Sequence, residues 1–120
     1  MNLNEYQEKA KLTDLDLESA GEVMEQGTLN TVSFINKVLG VTGETGEFSD
    51  KIKKVMRDKK GVFTEEDREE ILKELGDVLW YVALVSLYLG MPLEDLAKMN
   101  LDKLASRRQR GTLKGSGDNR

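Results

Sequence analysis

Apolar residues recur at helical spacing along most of the chain, and polar residues fill the positions between them. In two long segments the apolar positions lie three, four or seven residues apart, which is typical of a helix with one face in a hydrophobic core. This pattern predicts an all-α protein with four helices, at residues 4–12, 29–59, 64–89 and 92–110. The predicted core positions are Phe34, Val38, Val41, Phe48, Ile52 and Val55 in the second helix and Ile71, Leu75, Val78, Val82, Val85 and Leu89 in the third.

Residues with known preferences for helix ends mark the predicted boundaries. The hydroxyl of Thr64 can cap the third helix, and Pro92 suits the first position of the fourth. Gly61 and Gly90 follow the second and third helices, where glycine commonly ends a helix. Between the first two helices, residues 13–28 combine several acids with two glycines. We interpret that segment as a solvated surface loop, with a substrate lid as the alternative.

Residues 78–89, "VLWYVALVSLYL", are apolar on nearly every face of the third helix. A helix of this kind needs cover on all sides, so we expect a second subunit to pack against it. The run is too short to cross a bilayer. The sequence therefore predicts one oligomeric domain over residues 1–120. Residues 111–120 are rich in Gly and Ser, which predicts a flexible tail, with closure over a substrate as the alternative.

Composition removes several classes of chemistry. The 120 residues include no Cys and no His, which excludes disulfides, thiolate nucleophiles, Ser-His-Asp triads and imidazole-bound zinc. The formal charge of −4 argues against a nucleic-acid polymer as partner. The N-terminus "MNLNEYQEKA" is polar and predicts no signal peptide. We therefore expect a soluble, cytoplasmic protein whose chemistry depends on carboxylates, Lys, Arg and hydroxyls.

Two pairs of carboxylates lie at the edges of the predicted core stripes. Glu44 and Glu47 are three residues apart in "GETGEF", and Glu74 and Asp77 repeat that spacing in "KELGDV". If the two helices pack face to face as an antiparallel hairpin, the four acids converge on one edge of the bundle. Four close carboxylates need cations, and Mg²⁺ or Mn²⁺ prefers such oxygen ligands. For a single pair, a solvated face with Glu47 bonded to Lys51 would be the simpler interpretation.

Gly40, Gly43 and Gly46 interrupt the second helix beside the first acidic pair. Each glycine costs about 1 kcal/mol of helix stability relative to alanine, so local stability does not explain them. A missing Cβ lets a neighbouring helix or a bound nucleotide approach the backbone closely. A kink in a long helix is the alternative.

"GETGEFSDKIKK" followed by "ELGDVLWYV" resembles the paired acidic motif of MazG-like nucleotide pyrophosphohydrolases, the all-α NTP pyrophosphatase superfamily. The resemblance extends from "NEYQEKA" to "NLDKLASRR" and so covers most of the chain. It implies a helical bundle that works as a dimer or as a tetramer. It also implies an enzyme that splits nucleoside triphosphates into monophosphate and pyrophosphate. By this resemblance the Mg²⁺ ligands are Glu44, Glu47, Glu74 and Asp77.

Residues for substrate binding and catalysis follow from position and from the resemblance together. Lys51 and Lys54 continue the stripe of the first acidic pair, and solvated charge is an equal interpretation for Lys51. Asn100, Lys103 and Arg107 lie along the edge of the fourth helix and are predicted to contact the triphosphate, with a solvated surface position as a weaker alternative for Asn100 and Lys103. Glu47 is the predicted general base for the attacking water. A nucleobase could stack on an aromatic ring, for which the candidates are Phe34, Trp80 and Tyr81.

Two other functions remain compatible with the sequence. A nucleotide-binding sensor without catalysis predicts binding and thermal stabilisation but no product. An acidic helical interaction protein predicts neither a Mg²⁺ effect nor turnover.

Overall fold

The computed structural model describes residues 1–15 and 31–117, and within them the protein is all-helical. The helices are α1 (Leu3–Lys11), α2 (Thr31–Asp58), α3 (Glu65–Tyr88) and α4 (Leu93–Gln109). The all-α prediction is confirmed, and every helix end other than the start of α2 lies within one residue of its predicted place. The predicted start of α2 at residue 29 and most of the predicted loop at 13–28 lie outside the described residues.

Helices α2 and α3 form an antiparallel hairpin that carries the candidate site. Three contacts show the direction, since Lys59 pairs with Asp67, Lys51 with Glu74, and Gly40 lies against Tyr81. At the end of α2 the chain reverses through Lys60 and Gly61, which have φ values of 53° and 77°. The Gly61 N–H donates to the Val55 carbonyl at 3.2 Å, as expected for a glycine that ends a helix.

Helix α3 begins with the predicted cap. The Asp67 N–H donates to Thr64 Oγ1 at 3.1 Å, and the Thr64 N–H donates to the Asp67 carboxylate at 3.0 Å. Two N–H groups at the helix start are thereby satisfied. Lys59 Nζ bonds the same carboxylate at 2.6 Å, so this cap also ties the end of α2 to the start of α3.

Helix α4 leaves α3 at an angle of 98° and is capped by α1. Pro92 is the N-cap residue, so the helix begins at Leu93 and the prediction of Pro92 as its first residue is off by one position. The Leu93 N–H donates to Gln7 Oε1 at 3.1 Å, and Gln7 Nε2 donates to the carbonyls of Ala83 and Met91. Gln7 is buried, and its amide joins α1, α3 and α4.

The core lies mainly on the C-terminal half of α3. Its most buried apolar residues are Ala83, Leu84 and Tyr88 on α3, joined by Ala10, Val55 and Leu93. Three predicted core positions are instead exposed: Val38 at 41%, Leu75 at 46% and Leu89 at 54%. Helix α3 packs against α1 and α4 as well as α2, so its buried positions do not follow one stripe.

A nearly buried ion pair joins the end of α1 to α2. Lys37 Nζ lies 2.7 Å from Asp14 Oδ1, and the two side chains are 7% and 0% exposed. The Tyr88 hydroxyl donates to the other Asp14 oxygen at 3.2 Å, and burial together with Asp14 raises the pKa of Tyr88. The interpretation of Asp14 as part of a solvated loop is therefore wrong, because this acid has a buried cationic partner.

Among the described residues, no single helix is long and apolar enough to cross a membrane. Only α3 and α4 taken together, across their 98° bend, reach that length and composition.

Candidate functional site

Three of the four predicted metal ligands meet on one side of the hairpin. Carboxylate oxygens of Glu44, Glu74 and Asp77 all lie within 4.8 Å of one another. Glu74 and Asp77 project from the same side of α3 because they are three residues apart, and the antiparallel hairpin places Glu44 of α2 beside them. Glu44 and Glu74 are half-buried, whereas Asp77 is exposed. We call these three residues the acid cluster.

The acid cluster concentrates negative charge. Partial burial, followed by the charges of Glu47, Asp77 and Glu74, raises the pKa of Glu44. Burial and the charge of Asp77 likewise raise the pKa of Tyr6 on α1. A cation among the three carboxylates would relieve this repulsion, and an all-oxygen donor set suits a hard divalent ion such as Mg²⁺ or Mn²⁺. The residues present therefore fit the predicted metal.

Glu47, the fourth predicted ligand, is exposed and lies outside the acid cluster. It lines an open cleft of about 510 Å³ along α2. The cleft is bordered by Gly43, Gly46, Glu47, Asp50, Lys51 and Lys54. Glu47 is close enough to the acid cluster for its charge to affect Glu44, but its position beside the cleft differs from that of the other three acids.

Lys51 links the acid cluster to a further acid of α3. Its Nζ lies 3.1 Å from Glu74 Oε1 and 3.1 Å from Glu70 Oε2. These two bonds hold the pKa of Lys51 above its usual value. The alternative pairing of Lys51 with Glu47 is not formed within the described residues. Glu70 was not among the predicted site residues, although its position one helical turn before Glu74 would have placed it on the same side of α3.

Lys54 pairs with Asp50 one turn earlier on α2, at 2.6 Å. Asp50 also bonds Lys53, and these two cations lower the pKa of Asp50 to about 2. Lys54 is exposed, so its bond to Asp50 is an ordinary surface pair and leaves the ammonium open to an anion in the cleft.

The predicted substrate residues of α4 differ in their exposure. Asn100 and Lys103 are exposed on a helix that diverges from α3, and within the described residues no acid of the cluster forms an ion pair with α4. Arg107, predicted at an open edge, is only 5% exposed. The chain after α4 turns back over it, and Arg107 Nη2 donates to the Gly117 carbonyl at 3.3 Å. Residues 118–120 of the predicted tail lie outside the described residues.

The glycines of α2 have two different surroundings. A Cβ at Gly40 would overlap the ring of Tyr81, so at this position the neighbouring helix requires the glycine. Gly43 and Gly46 have no atom within 4 Å of such a Cβ, and the same is true of Gly76 on α3. The structure thus explains one of the three glycines of α2 by helix packing.

The three candidate aromatics are all held by side-chain contacts. The ring of Tyr81 meets Trp80 edge-on, with centroids 4.8 Å apart. Trp80 Nε1 donates to Thr13 Oγ1 at 2.8 Å, and Lys37 Nζ lies 5.6 Å from the centre of the Trp80 ring. Phe34 packs against Tyr88 with centroids 6.5 Å apart. Trp80 lies one turn after Asp77, which places it nearer the acid cluster than Phe34 along the hairpin.

Comparison with known proteins identifies the family. Residues 33–112 match the family described as "MazG nucleotide pyrophosphohydrolase domain". The chain belongs to this family. The matched part of this MazG domain contains the acid cluster, Glu47, and the predicted substrate residues of α2 and α4. The resemblance found in the sequence is therefore confirmed.

The MazG domain is also similar to a phage protein, the "Gene 37 protein" of Mycobacterium phage L5. The two are 50% identical over 82 residues, which cover 68% of this chain and 72% of the phage protein. No solved structure matches the chain.

Proposed function

We propose that the protein is a Mg²⁺-dependent nucleoside triphosphate pyrophosphohydrolase. It would cleave an NTP or dNTP between the α and β phosphates, releasing a nucleoside monophosphate and pyrophosphate, and so remove unwanted nucleotides from the cytoplasmic pool. The observation that supports this proposal most directly is the acid cluster, formed by two helices inside the part of the chain that matches the family.

Glu44, Glu74 and Asp77 would hold the metal through carboxylate oxygens. When bound, a divalent cation supplies charge neutralisation for the phosphates and lowers the pKa of a nearby water. Glu47 lies beside the acid cluster but outside it, which leaves its carboxylate available to accept a proton from the attacking water. Mn²⁺ fits the same oxygen donors as Mg²⁺.

The cations of the α2 cleft would orient the triphosphate. Lys51 and Lys54 both border the cleft with Glu47, so a phosphate chain there would meet two ammonium groups next to the proposed base. Asn100 and Lys103 of α4 are exposed and can donate to phosphate oxygens. Arg107 is a weaker choice because it is buried and already bonds the Gly117 carbonyl. Trp80 is the proposed neighbour of the nucleobase.

We infer that the protein works as a homodimer or tetramer, with a face of α3 at the interface. Two apolar stripes are exposed on the hairpin, each at the i, i+3, i+7 spacing of one helix face. They are formed by Val32, Ile35 and Leu39 of α2 and by Leu72, Leu75 and Leu79 of α3, with exposures between 42% and 70%. Exposed rows of apolar side chains such as these support an interface with another subunit.

A nucleotide screen with pyrophosphate detection tests the function. Canonical and modified NTPs and dNTPs would be incubated with the protein at millimolar Mg²⁺ and, in parallel, with EDTA. We expect pyrophosphate and monophosphate in equal amounts from at least one nucleotide, and only with the metal. Nucleotide binding without any product would favour the sensor instead. Insensitivity of both binding and melting temperature to Mg²⁺ would favour the acidic interaction protein.

A further inference from the structure

One cation contacts the acid cluster in the part of the chain that the structure describes, and it belongs to the protein itself. Lys51 Nζ lies 3.1 Å from Glu74, whose side chain is only 14% exposed. At the same 3.1 Å distance it also meets Glu70, so one ammonium is shared by two carboxylates that are one helical turn apart. The Lys51 side chain is 30% exposed, which limits its exchange with water and favours a defined position.

A bound divalent cation would compete with this ammonium for Glu74. Two positive centres on one carboxylate repel each other strongly in a partly desolvated site. The bond between Lys51 and Glu74 must therefore weaken when the acid cluster takes up a metal.

Glu70 provides the second position for Lys51. It lies outside the acid cluster and so does not have to change partner when metal binds. Lys73 bonds its other oxygen at 2.6 Å from the same helix, which holds the Glu70 carboxylate in place. An ammonium that leaves Glu74 can remain bonded to Glu70 by a small rotation of the lysine side chain.

We propose that Lys51 is the counterion of the acid cluster in the metal-free protein. When a divalent cation binds Glu74, the Lys51 ammonium leaves that carboxylate, and its bond to Glu70 keeps the ammonium beside the cleft. Glu70 is then a positioning residue, since it acts through Lys51 and does not contact metal. This inference rests on the proposed function, because it takes Glu44, Glu74 and Asp77 as the metal ligands. Its consequence is that a phosphate-binding ammonium becomes available in the cleft only when the metal is present.

Titration of the full-length protein with MgCl₂ by calorimetry tests the exchange in a double-mutant cycle. Lys51→Met removes the competitor and should tighten Mg²⁺ binding, by about three- to tenfold for a coupled pair of this kind. Glu70→Gln leaves Lys51 with Glu74 as its main partner and should weaken Mg²⁺ binding by a similar factor. The double variant should bind Mg²⁺ as Lys51→Met does, because Glu70 acts only through Lys51.

Matched controls separate this exchange from a general change of charge. Glu66→Gln removes one charge a turn before Glu70, and Lys53→Met removes one cation from the exposed side of α2. Both should leave the Mg²⁺ dissociation constant within about twofold of wild type, since exposed charges interact weakly.

Melting temperature in EDTA gives a second measurement, in which Lys51→Met should be worse than wild type although it binds Mg²⁺ more tightly. Lys51→Met should melt at a lower temperature than wild type without metal, because the acid cluster has lost its counterion. When Mg²⁺ is added, the melting temperature of Lys51→Met should rise by more than that of wild type. A variant that is simply misfolded would melt lower in both conditions.

The outcomes distinguish the inference from the function it rests on. Weakening by Glu70→Gln that persists in the Lys51→Met background would show direct charge effects and overturn the exchange. Unchanged Mg²⁺ affinity in Lys51→Met, with Glu74→Gln strongly weakened, would overturn the inference alone. Wild-type protein that binds no Mg²⁺ at millimolar concentration would overturn both.

Discussion

The ring of Tyr81 on α3 lies against the backbone of Gly40 on α2, in the space that a Cβ at residue 40 would need. Trp80 packs edge-on against the same ring, with centroids 4.8 Å apart. This contact explains why a residue that weakens a helix is placed at position 40. It does not explain Gly43 and Gly46, which face open space beside the cleft.

We expect Gly40→Ala to destabilise the protein although alanine favours the helix. The gain in helix propensity is about 1 kcal/mol, and inserting a methyl group into a packed contact typically costs 1–3 kcal/mol. Gly43→Ala and Gly46→Ala are the matched controls, because they receive the same gain of about 1 kcal/mol without a clash. Urea unfolding measures all three. Equal stabilisation at the three positions would contradict the Tyr81 contact.

The buried pair of Lys37 and Asp14 gives a second stability prediction. Lys37→Met would leave the Asp14 carboxylate buried without its ammonium, and removal of one partner of a buried pair costs about 3–5 kcal/mol. The double variant Lys37→Met with Asp14→Asn should be more stable than Lys37→Met alone, because the neutral amide keeps a partner for the Tyr88 hydroxyl. The melting temperatures of wild type, Lys37→Met and the double variant can be compared by circular dichroism. Additive losses would show that the two residues act independently.

Much of the fold was accessible from the sequence because its signals are local. The spacing of apolar residues, the Thr64 cap and the glycines after α2 and α3 depend only on near neighbours, and these predictions placed every helix end except the start of α2 within one residue. The Lys37–Asp14 pair and the Gln7 amide were missed, since each depends on which helices meet. Single-stripe analysis also misplaced Leu75 and Leu89, because α3 has more than one packing partner.

The part of the site that could be predicted consists of acidic residues at helical spacing. Glu44, Glu74 and Asp77 each lie on a predictable edge of a long helix, and antiparallel pairing of the two helices then fixes their approach. Glu47 lies about one helical turn after Glu44 but outside the acid cluster. A helical wheel shows which face of the helix a residue is on but not how far along the helix its side chain reaches, so it did not separate these two acids. The bond from Arg107 to the Gly117 carbonyl depends on how the chain turns after α4, and a turn of this kind has no periodic signal in the sequence.

The cap of α3 predicts a loss of stability in acid. Lys59 and Thr64 lower the pKa of Asp67 from 3.8 to about 2. A carboxyl whose pKa is lower in the folded state stabilises the fold above pH 3.8, and this contribution disappears as the pH falls towards 2. Asp67→Asn should therefore melt below wild type at pH 7 and approach it near pH 2. A melting difference that is constant over this range would contradict the role of the Asp67 charge.

Assembly is expected to depend on the exposed stripe of α3. Leu72 and Leu79 are 63% and 42% exposed in a single chain. Substitution of both by serine should reduce the mass measured by light scattering from that of an oligomer to that of one chain, because the buried apolar area would be lost. Leu101→Ser on α4 is a control of equal chemistry, since Leu101 is 66% exposed but lies outside the hairpin. A monomeric wild-type protein at micromolar concentration would contradict the oligomer.

Amide variants of the acids separate metal binding from proton transfer. Glu74→Gln and Asp77→Asn remove proposed ligands, so turnover should fall by orders of magnitude and the stabilisation by Mg²⁺ should largely disappear. Glu47→Gln should lose turnover to a similar extent but keep most of the Mg²⁺ stabilisation, because Glu47 lies outside the acid cluster. Lys103→Ala should instead raise KM, since that residue is proposed to contact phosphate.

Glu66→Gln is the control for these amide variants. Glu66 is an exposed acid in the first turn of α3, where its charge lies near the positive end of the helix dipole. Activity and the Mg²⁺-induced shift in melting temperature should both stay near wild type in this variant. Equal losses in Glu66→Gln and Asp77→Asn would mean that activity depends on overall acidity, and the acid cluster would no longer be the candidate metal site. Loss of the Mg²⁺ shift in Glu47→Gln would place Glu47 among the ligands, and the proton would need another acceptor.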